Sequence, residues 1–411
     1  MTSVSPPSRP QLAVSAAIFR DDRVLLVRRA RSPAKGFYSL PGGRVEFGES
    51  LHAAIHREVT EETALTIEVT DLAGWREVLP GTAGGGHFLI MSFAARWVAG
   101  EPELNEELDD FKWLAPDALV VIGPDHFHAN FYDVMPPFVL GVGETDAFGD
   151  FDSRSGPLPV APALAWAIRD GLAGDGFDIA LSYALTVDHG IVQSYEMVRG
   201  QTELPIVPLV VNAAAPPLPS MPRCVTLGRS LGAAVRAADA GRVLIVASGG
   251  LSHWLPSNDP RDTSVSAERR DSVIHGRHDV RAFAATREPA VVALAGNPDA
   301  PVNADWDSWF LKQLAAAELG PVTSLGDEGL EERAGSGGHE IRTWLIGLAA
   351  AARPLVWTSY EPVPEWVTGM GIGTTFEVAL CRDLHDVEGI PPLTRHPGRR
   401  RRGRRSGSAL W

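Results

Sequence analysis

The sequence predicts two consecutive globular domains, an α+β domain followed by an α/β domain. Three observations carry this reading. A chain of 411 residues exceeds a single typical core. Its first hundred residues read as strands around one glutamate-rich helix, and further on several strand-like segments run straight into histidines. With 45% hydrophobic residues the chain is globular.

In the first domain, Leu12 to Phe19 and Arg23 to Val27 alternate as strands joined by a turn at Asp21 and Asp22, with Arg28 and Arg29 following. The segment Gly43 to Leu65, GRVEFGESLHAAIHREVTEETAL, is the strongest chemical signal. A helix starting near Ser50 places Glu58, Glu61 and Glu62 at i, i+3 and i+4, so their carboxylates crowd one face within roughly 5–6 Å. Such crowding resists ionisation unless a cation is present. Mg²⁺ or Mn²⁺ suits carboxylate oxygens together with substrate phosphates. Arg57 can pair with a carboxylate and hold it in place. Upstream, Leu40, Pro41, Gly42 and Gly43 predict a tight turn whose glycines let backbone approach a phosphate. His87 to Ala94 reads as a strand. Among Glu103, Glu106, Glu107, Asp109 and Asp110, one acid completes the metal shell or serves as general base, or most of them are simply solvated loop charges.

Gly43, Glu49, Arg57, Glu58, Val59, Glu61 and Glu62, at these spacings, resemble the Nudix box. The resemblance implies a mixed sheet between helices over residues 11–118 and Mg²⁺-dependent hydrolysis of a nucleoside diphosphate linked to a further group. It implies metal ligands at Glu58, Glu61 and Glu62, catalytic roles for Glu61 and Arg57, and binding by Gly42, Gly43 and Glu49. Ala64 stands where the family usually has glycine. If that position is left-handed, alanine costs about 1 kcal/mol.

The second domain begins without a linker. Leu119 to Ile122 reads as a buried strand entering PDHFHANFYDVMPPF, residues 124–138. VDHG (187–190), SGGLSH (248–253) and HEIRTW (339–344) follow. The first three segments put a histidine at or just after a strand end, where open α/β sheets build their sites. Two histidines and a carboxylate form the facial set that holds non-haem Fe(II).

FYDVMPPF, VDHG, SGGLSH and the PEW at Pro364 to Trp366 resemble the extradiol ring-cleaving dioxygenases of the protocatechuate 4,5-dioxygenase superfamily, over residues 119–373. The resemblance implies an α/β domain acting on a catechol such as 2,3-dihydroxyphenylpropionate. By it, His126 and Glu340 are ligands to Fe²⁺, His253 the base that deprotonates the catechol, and His189 the acid that assists ring opening. The family's opening strand, its first iron-ligating histidine and the following helix are missing, with the Nudix-like domain in their place. The expected domain therefore lacks its first strand and helix, needs cover from the other domain or a second copy, and is short of one ligand. His128 is a candidate replacement; His52, His56 and His87 are remoter ones.

Two cysteines, Cys224 and Cys381, are too few for a disulfide framework or a zinc site, and a reducing cytoplasm is the natural setting. No apolar stretch approaches the roughly 20 residues of a membrane span. The net charge of −14 argues against general nucleic-acid binding by the body. After about Thr374 the tail reverses sign, with seven arginines from Arg395 to Arg405, and reads as disordered. Three functional readings stand: the Nudix hydrolase with an iron-impaired dioxygenase half; a working dioxygenase, homo-oligomeric through that half, with the Nudix part as scaffold; and a non-catalytic sensor or inactive fusion.

Overall fold

The computed structural model describes residues 9–21, 23–31, 35–79, 87–199, 202–296 and 302–375. The arginine-rich tail, Cys381 and Asp22 lie outside them.

The first domain is a six-stranded mixed sheet. Its strands are β1 (Gln11–Arg20), β2 (Arg23–Arg29), β3 (Tyr38–Ser39), β4 (Thr66–Val78), β5 (Phe88–Ala99) and β6 (Leu108–Leu114). They lie in the order β3-β2-β1-β5-β4, with β6 on β2. β1 runs parallel to β5 and antiparallel to β2. One α-helix packs on this sheet among the described residues, α1 (Leu51–Thr63). Ser50 caps it by accepting the Ala53 N–H at 3.1 Å. Ala54, Ile55 and Val59 face Val14, Ala16 and Ile18 of β1 in one apolar cluster. Glu62 is buried on this same face, Glu58 is half-buried beside it, and Glu61 is exposed. α1 ends at Ala64 with φ +56°, the left-handed conformation that alanine adopts at a cost.

The second domain is also six-stranded. Its strands are β7 (Ala118–Pro124), β8 (Phe138–Phe148), β9 (Ser155–Leu158), β10 (Ala180–Val187), β11 (Ile206–Val211) and β12 (Val243–Ala247), ordered β10-β8-β11-β7-β12 with β9 on β8. β7 is parallel to both neighbours, β11 and β12. It is buried along its whole length, as its unbroken apolar run requires. The first sheet thus ends at Leu114 and the second starts at Ala118.

Ten α-helices are numbered among the described residues. After α1 come α2 (Pro162–Gly174), α3 (His189–Arg199), α4 (Met221–Ala237), α5 (Ala267–His275), α6 (Val280–Val292), α7 (Ala304–Ala315), α8 (Leu319–Thr323), α9 (Gly326–Ala334) and α10 (Ile341–Ala351). One face of the second sheet packs on α2, α4 and α10. The other packs on α3. A hairpin of β13 (Trp357–Val363) and β14 (Thr368–Thr374) closes the fold. β12 is an edge strand with all five residues half-buried.

Two candidate metal centres

In the first domain, Arg57 is the hub of the glutamates. Its Nε and Nη2 donate to the two oxygens of Glu49, each at 3.0 Å. Nη1 reaches Glu58 at 3.0 Å and Glu61 at 3.2 Å. Nη2 also holds the Arg44 carbonyl at 2.9 Å, tying the preceding loop to the helix. Glu62 turns the other way and accepts the Gly42 N–H at 2.8 Å. The two glycines are required here by crowding. A Cβ on Gly42 would fall 2.2 Å from the Val14 carbonyl oxygen of β1, and one on Gly43 would strike the Glu58 carboxylate at 2.4 Å. The turn therefore presses on β1 and on the acids.

One arginine does not balance this many acids. Burial pushes Glu62 up to about 7, against the help of the Gly42 N–H, and Glu58 adds to the rise. Burial also raises Glu58, although Arg57 opposes it. Glu49 is lowered by its bond to Arg57. Two carboxyls raised by burial, beside a solvent-facing Glu61, form a donor set that fits a hard divalent cation. Of the acids after β5, Glu107 bears on both Glu58 and Glu62. Glu106, Asp109 and Asp110 are engaged by Arg31, Arg28 and Tyr38. His52 packs edge-on against Phe93 and His87 pairs with Glu77.

In the second domain, four loops from separate elements converge. β7 delivers Asp125 to His128. Asp125, fully buried, accepts the backbone N–H groups of Phe127, His128, Ala129 and Asn130 and so folds that loop around itself. His126 Nδ1 donates to Asp188 at 3.1 Å, and its backbone N–H reaches the same oxygen at 2.7 Å. This orients the ring and aims Nε2 at Glu340 Oε1, 3.1 Å away. A carboxylate behind a histidine is the usual support of a metal-ligating imidazole.

β10 delivers VDHG. Asp188 also caps α3 through the Gly190 N–H at 2.9 Å. Gly123 of β7 allows close approach of the start of α3: a Cβ there would lie 2.6 Å from the Gly190 carbonyl oxygen. His189 Nδ1 bonds Asp150 at 2.5 Å, and its ring stacks on His126 at 4.3 Å. His128 turns away from Glu340, to Asp188 at 3.1 Å and Asp150 at 3.8 Å.

After β12, the Gly250 N–H donates to Glu340 Oε2 at 2.6 Å. His253 Nδ1 donates to the Leu251 carbonyl at 2.9 Å, leaving Nε2 3.5 Å from Glu340 Oε1. Ser252 is locked by Asp307, which also accepts the Tyr360 hydroxyl, all at 2.8 Å. Arg342, fully buried, anchors the start of α10 through the Pro219 carbonyl at 2.7 Å and Asp327 at 2.5 Å, and so positions Glu340. Gly337 sits where any Cβ would strike the His253 ring at 2.0 Å.

Burial works against charge throughout this cluster, yet Asp188 and Glu340 hold His126 up at about 10. Asp188 is well below the ordinary carboxylate range because its histidines outweigh its burial. Glu340 is lowered likewise by His126 and His253. Burial, then the neighbouring Asp188, raises Asp125. A proton on His126 thus supplies the positive charge between two carboxylates, the place a divalent cation fits. Trios of ligand atoms within 4.8 Å of one another occur, among the described residues, at His126/Asp188/His189 and Asp125/His128/Asp188. Asp188 belongs to both but is already saturated by donors, so its lone pairs are committed to the histidines. The His126–Glu340 pair, with oxygen and nitrogen facing, fits two positions of an iron shell.

Residues 101–371 match the family described as the catalytic LigB subunit of aromatic ring-opening dioxygenase. The chain belongs to this family. Residues 9–135 match the NUDIX domain, so a Nudix hydrolase domain precedes the LigB domain, and the overlap of the two matches falls where β6 closes one sheet and β7 opens the other. The chain is similar to the 2,3-dihydroxyphenylpropionate/2,3-dihydroxicinnamic acid 1,2-dioxygenase of Klebsiella pneumoniae, at 36% identity over 64% of this chain and 87% of the relative. The counterpart from Burkholderia vietnamiensis is 37% identical over 68% and 89%. Among solved structures, a MutT NUDIX hydrolase from Burkholderia pseudomallei is 32% identical, covering 26% of this chain and 84% of that one, with a TM-score of 0.25. No helix among the described residues is long and apolar enough to cross a membrane.

The LigB domain's Asp125, Asp150, Asp188, Asp307 and Tyr360 were not singled out by their residue pattern. Asp125 and Asp188 stand immediately before His126 and His189, and that adjacency was the available signal.

Proposed function

We propose that the chain is a Mg²⁺-dependent hydrolase of a nucleoside diphosphate linked to a further group, with its Nudix part at residues 11–118. The observation that supports it is the Arg57 hub, which draws Glu49 of the preceding loop to Glu58 and Glu61 of α1, while burial raises Glu58 and Glu62. Mg²⁺ or Mn²⁺ held by Glu58, Glu61 and Glu62 supplies charge stabilisation to the diphosphate and acidifies water. Arg57, bonded to Glu58 at 3.0 Å, opposes the rise that burial imposes on it and holds its carboxylate in place. Glu61, the most exposed of the set at 57%, is the group free to take a proton from the attacking water. Gly42, Gly43 and Glu49 hold the loop that borders the substrate. The test is release of AMP from ADP-ribose with Mg²⁺, abolished by chelator; absence of product from ADP-ribose and from nucleotide sugars counts against the proposal.

A second reading is favoured by the His126–Glu340 contact with Asp188 behind it. The LigB domain, residues 119–373, would open a catechol such as 2,3-dihydroxyphenylpropionate, with His126 and Glu340 holding Fe²⁺, which supplies the oxygen chemistry. His253, its Nδ1 committed to Leu251, offers Nε2 to a catechol hydroxyl proton. His189, oriented by Asp150, offers Nε2 as the acid for ring opening. The third ligand position has no resident among the histidines near the pair, so iron is held weakly. Tightly retained, stoichiometric Fe²⁺ in purified full-length chain would overturn that last statement.

A further inference from the structure

A cavity of about 290 Å³ lies beside the His126–Glu340 pair, and it holds a cation that neither reaction step uses. Arg287 of α6 lines this cavity and is 8% exposed. Its Nη1 is buried without a hydrogen-bond partner. A buried guanidinium donor left unmatched is costly, and such a group is retained where an anion arrives to meet it. A second observation points the same way. Arg269 of α5 stands close enough to Arg287 to be depressed by it, after burial, and it spends Nε and Nη2 on the neutral Asn258 side chain, another lining residue, at 3.1 and 2.5 Å. Neither arginine has a carboxylate within ion-pairing distance among the described residues.

The surrounding acids are already engaged. Asp188 and Asp150 hold histidines, Asp125 holds four backbone N–H groups, and Glu340 holds His126 and Gly250. Of the other acids lining the cavity, Asp259 is paired with Arg261, Asp262 accepts the Ser264 hydroxyl, and Glu331 faces His339 Nε2 at 3.6 Å. Phe127, Ala214, Ala215, Pro216 and Leu255 give the cavity an apolar wall suited to an aromatic ring.

We infer that Arg287, seconded by Arg269, binds the side-chain carboxylate of an aromatic substrate whose ring lies against that wall and whose far end faces His126 and Glu340. This rests on the dioxygenase reading and adds to it the residue that selects acid-bearing catechols. It is a specificity role, separable from the metal.

The test is calorimetric binding of 3-phenylpropionate and of 3-phenylpropanamide to the metal-free full chain, as wild type, Arg287→Lys and Arg287→Gln. The wild type is expected to prefer the acid by about ten-fold or more, as a charge-assisted bond implies. Arg287→Gln loses that preference through weaker acid binding with the amide unchanged. Arg287→Lys, which keeps the charge but not the fork, loses part of it and keeps the test valid if the glutamine variant does not fold. Equal binding of acid and amide by the wild type overturns the inference. So does an Arg287→Gln loss shared equally by both ligands, which would mean that Arg287 only balances buried charge. If Fe²⁺-loaded chain fails to open 3-(2,3-dihydroxyphenyl)propionate while the Arg287-dependent preference persists, the dioxygenase reading falls and the carboxylate site stands.

Discussion

The glutamate cluster of the Nudix domain sits within 14 residues, Glu49 to Glu62, whereas the histidine cluster of the LigB domain draws on residues 125 to 340 from four loops. The first is assembled by the periodicity of one helix and one arginine. The second depends on Asp125, Asp188, Asp307 and Arg342, each buried and each pinning a different loop. A site written into one helix survives changes elsewhere in the chain. A site gathered from strand ends depends on every loop that reaches it: beside the His126–Glu340 pair stand His253, 3.5 Å from Glu340, and His189, stacked on His126 at 4.3 Å.

This contrast can be broken or sharpened by variants, beginning with the largest effect. Glu58→Gln is expected to reduce Mg²⁺-dependent hydrolysis by about a hundred-fold or more, the scale of losing a metal ligand or its close support. Binding of 3-phenylpropionate to the LigB domain should not change. A loss in both would show that the two sites are one unit. Asp188→Asn removes the support of His126 and should weaken Fe²⁺ binding by about ten-fold or more while sparing hydrolysis. Anaerobic titration of Fe²⁺ checks this, and an unchanged affinity would remove His126 from the shell.

A smaller effect concerns pH. Glu62 titrates near 7 in the fold, above its ordinary value of about 4.3. The neutral form is the favoured one, so its contribution to stability is complete below the ordinary value and is lost as pH rises through about 7. Metal-free protein should therefore melt higher when Glu62→Gln is introduced at pH 8, with little difference at pH 5. Added Mg²⁺ should raise the melting temperature of the wild type more at pH 8 than at pH 6. A pH-independent Mg²⁺ shift would contradict this. The smallest effect is at Ala64, where glycine relieves the left-handed strain: Ala64→Gly should stabilise the chain by about 1 kcal/mol, read as a rise in denaturant midpoint.

Both families and the layout of two domains were legible because motifs recorded them in short stretches. The left-handed turn at Ala64 was legible only as a conditional, from the glycine the family usually has there, and the structure has φ +56° at that position. Arg287 left no trace in the pattern: a lone arginine on α6 looks like any solvated helix charge, and only the packing of α6 against the β7 loop buries it. Asp307 and Tyr360 act on Ser252 from 55 and 108 positions away along the chain, a relation no local spacing encodes. The half-buried edge at β12 likewise becomes visible only once strand order is known.

The most direct test of the central claim is hydrolysis of a panel of nucleoside diphosphate derivatives by full-length wild type, Glu61→Gln and His126→Ala with Mg²⁺. The account expects turnover in the wild type, its loss in Glu61→Gln and its retention in His126→Ala; undiminished turnover in Glu61→Gln, or none with any substrate, would contradict it.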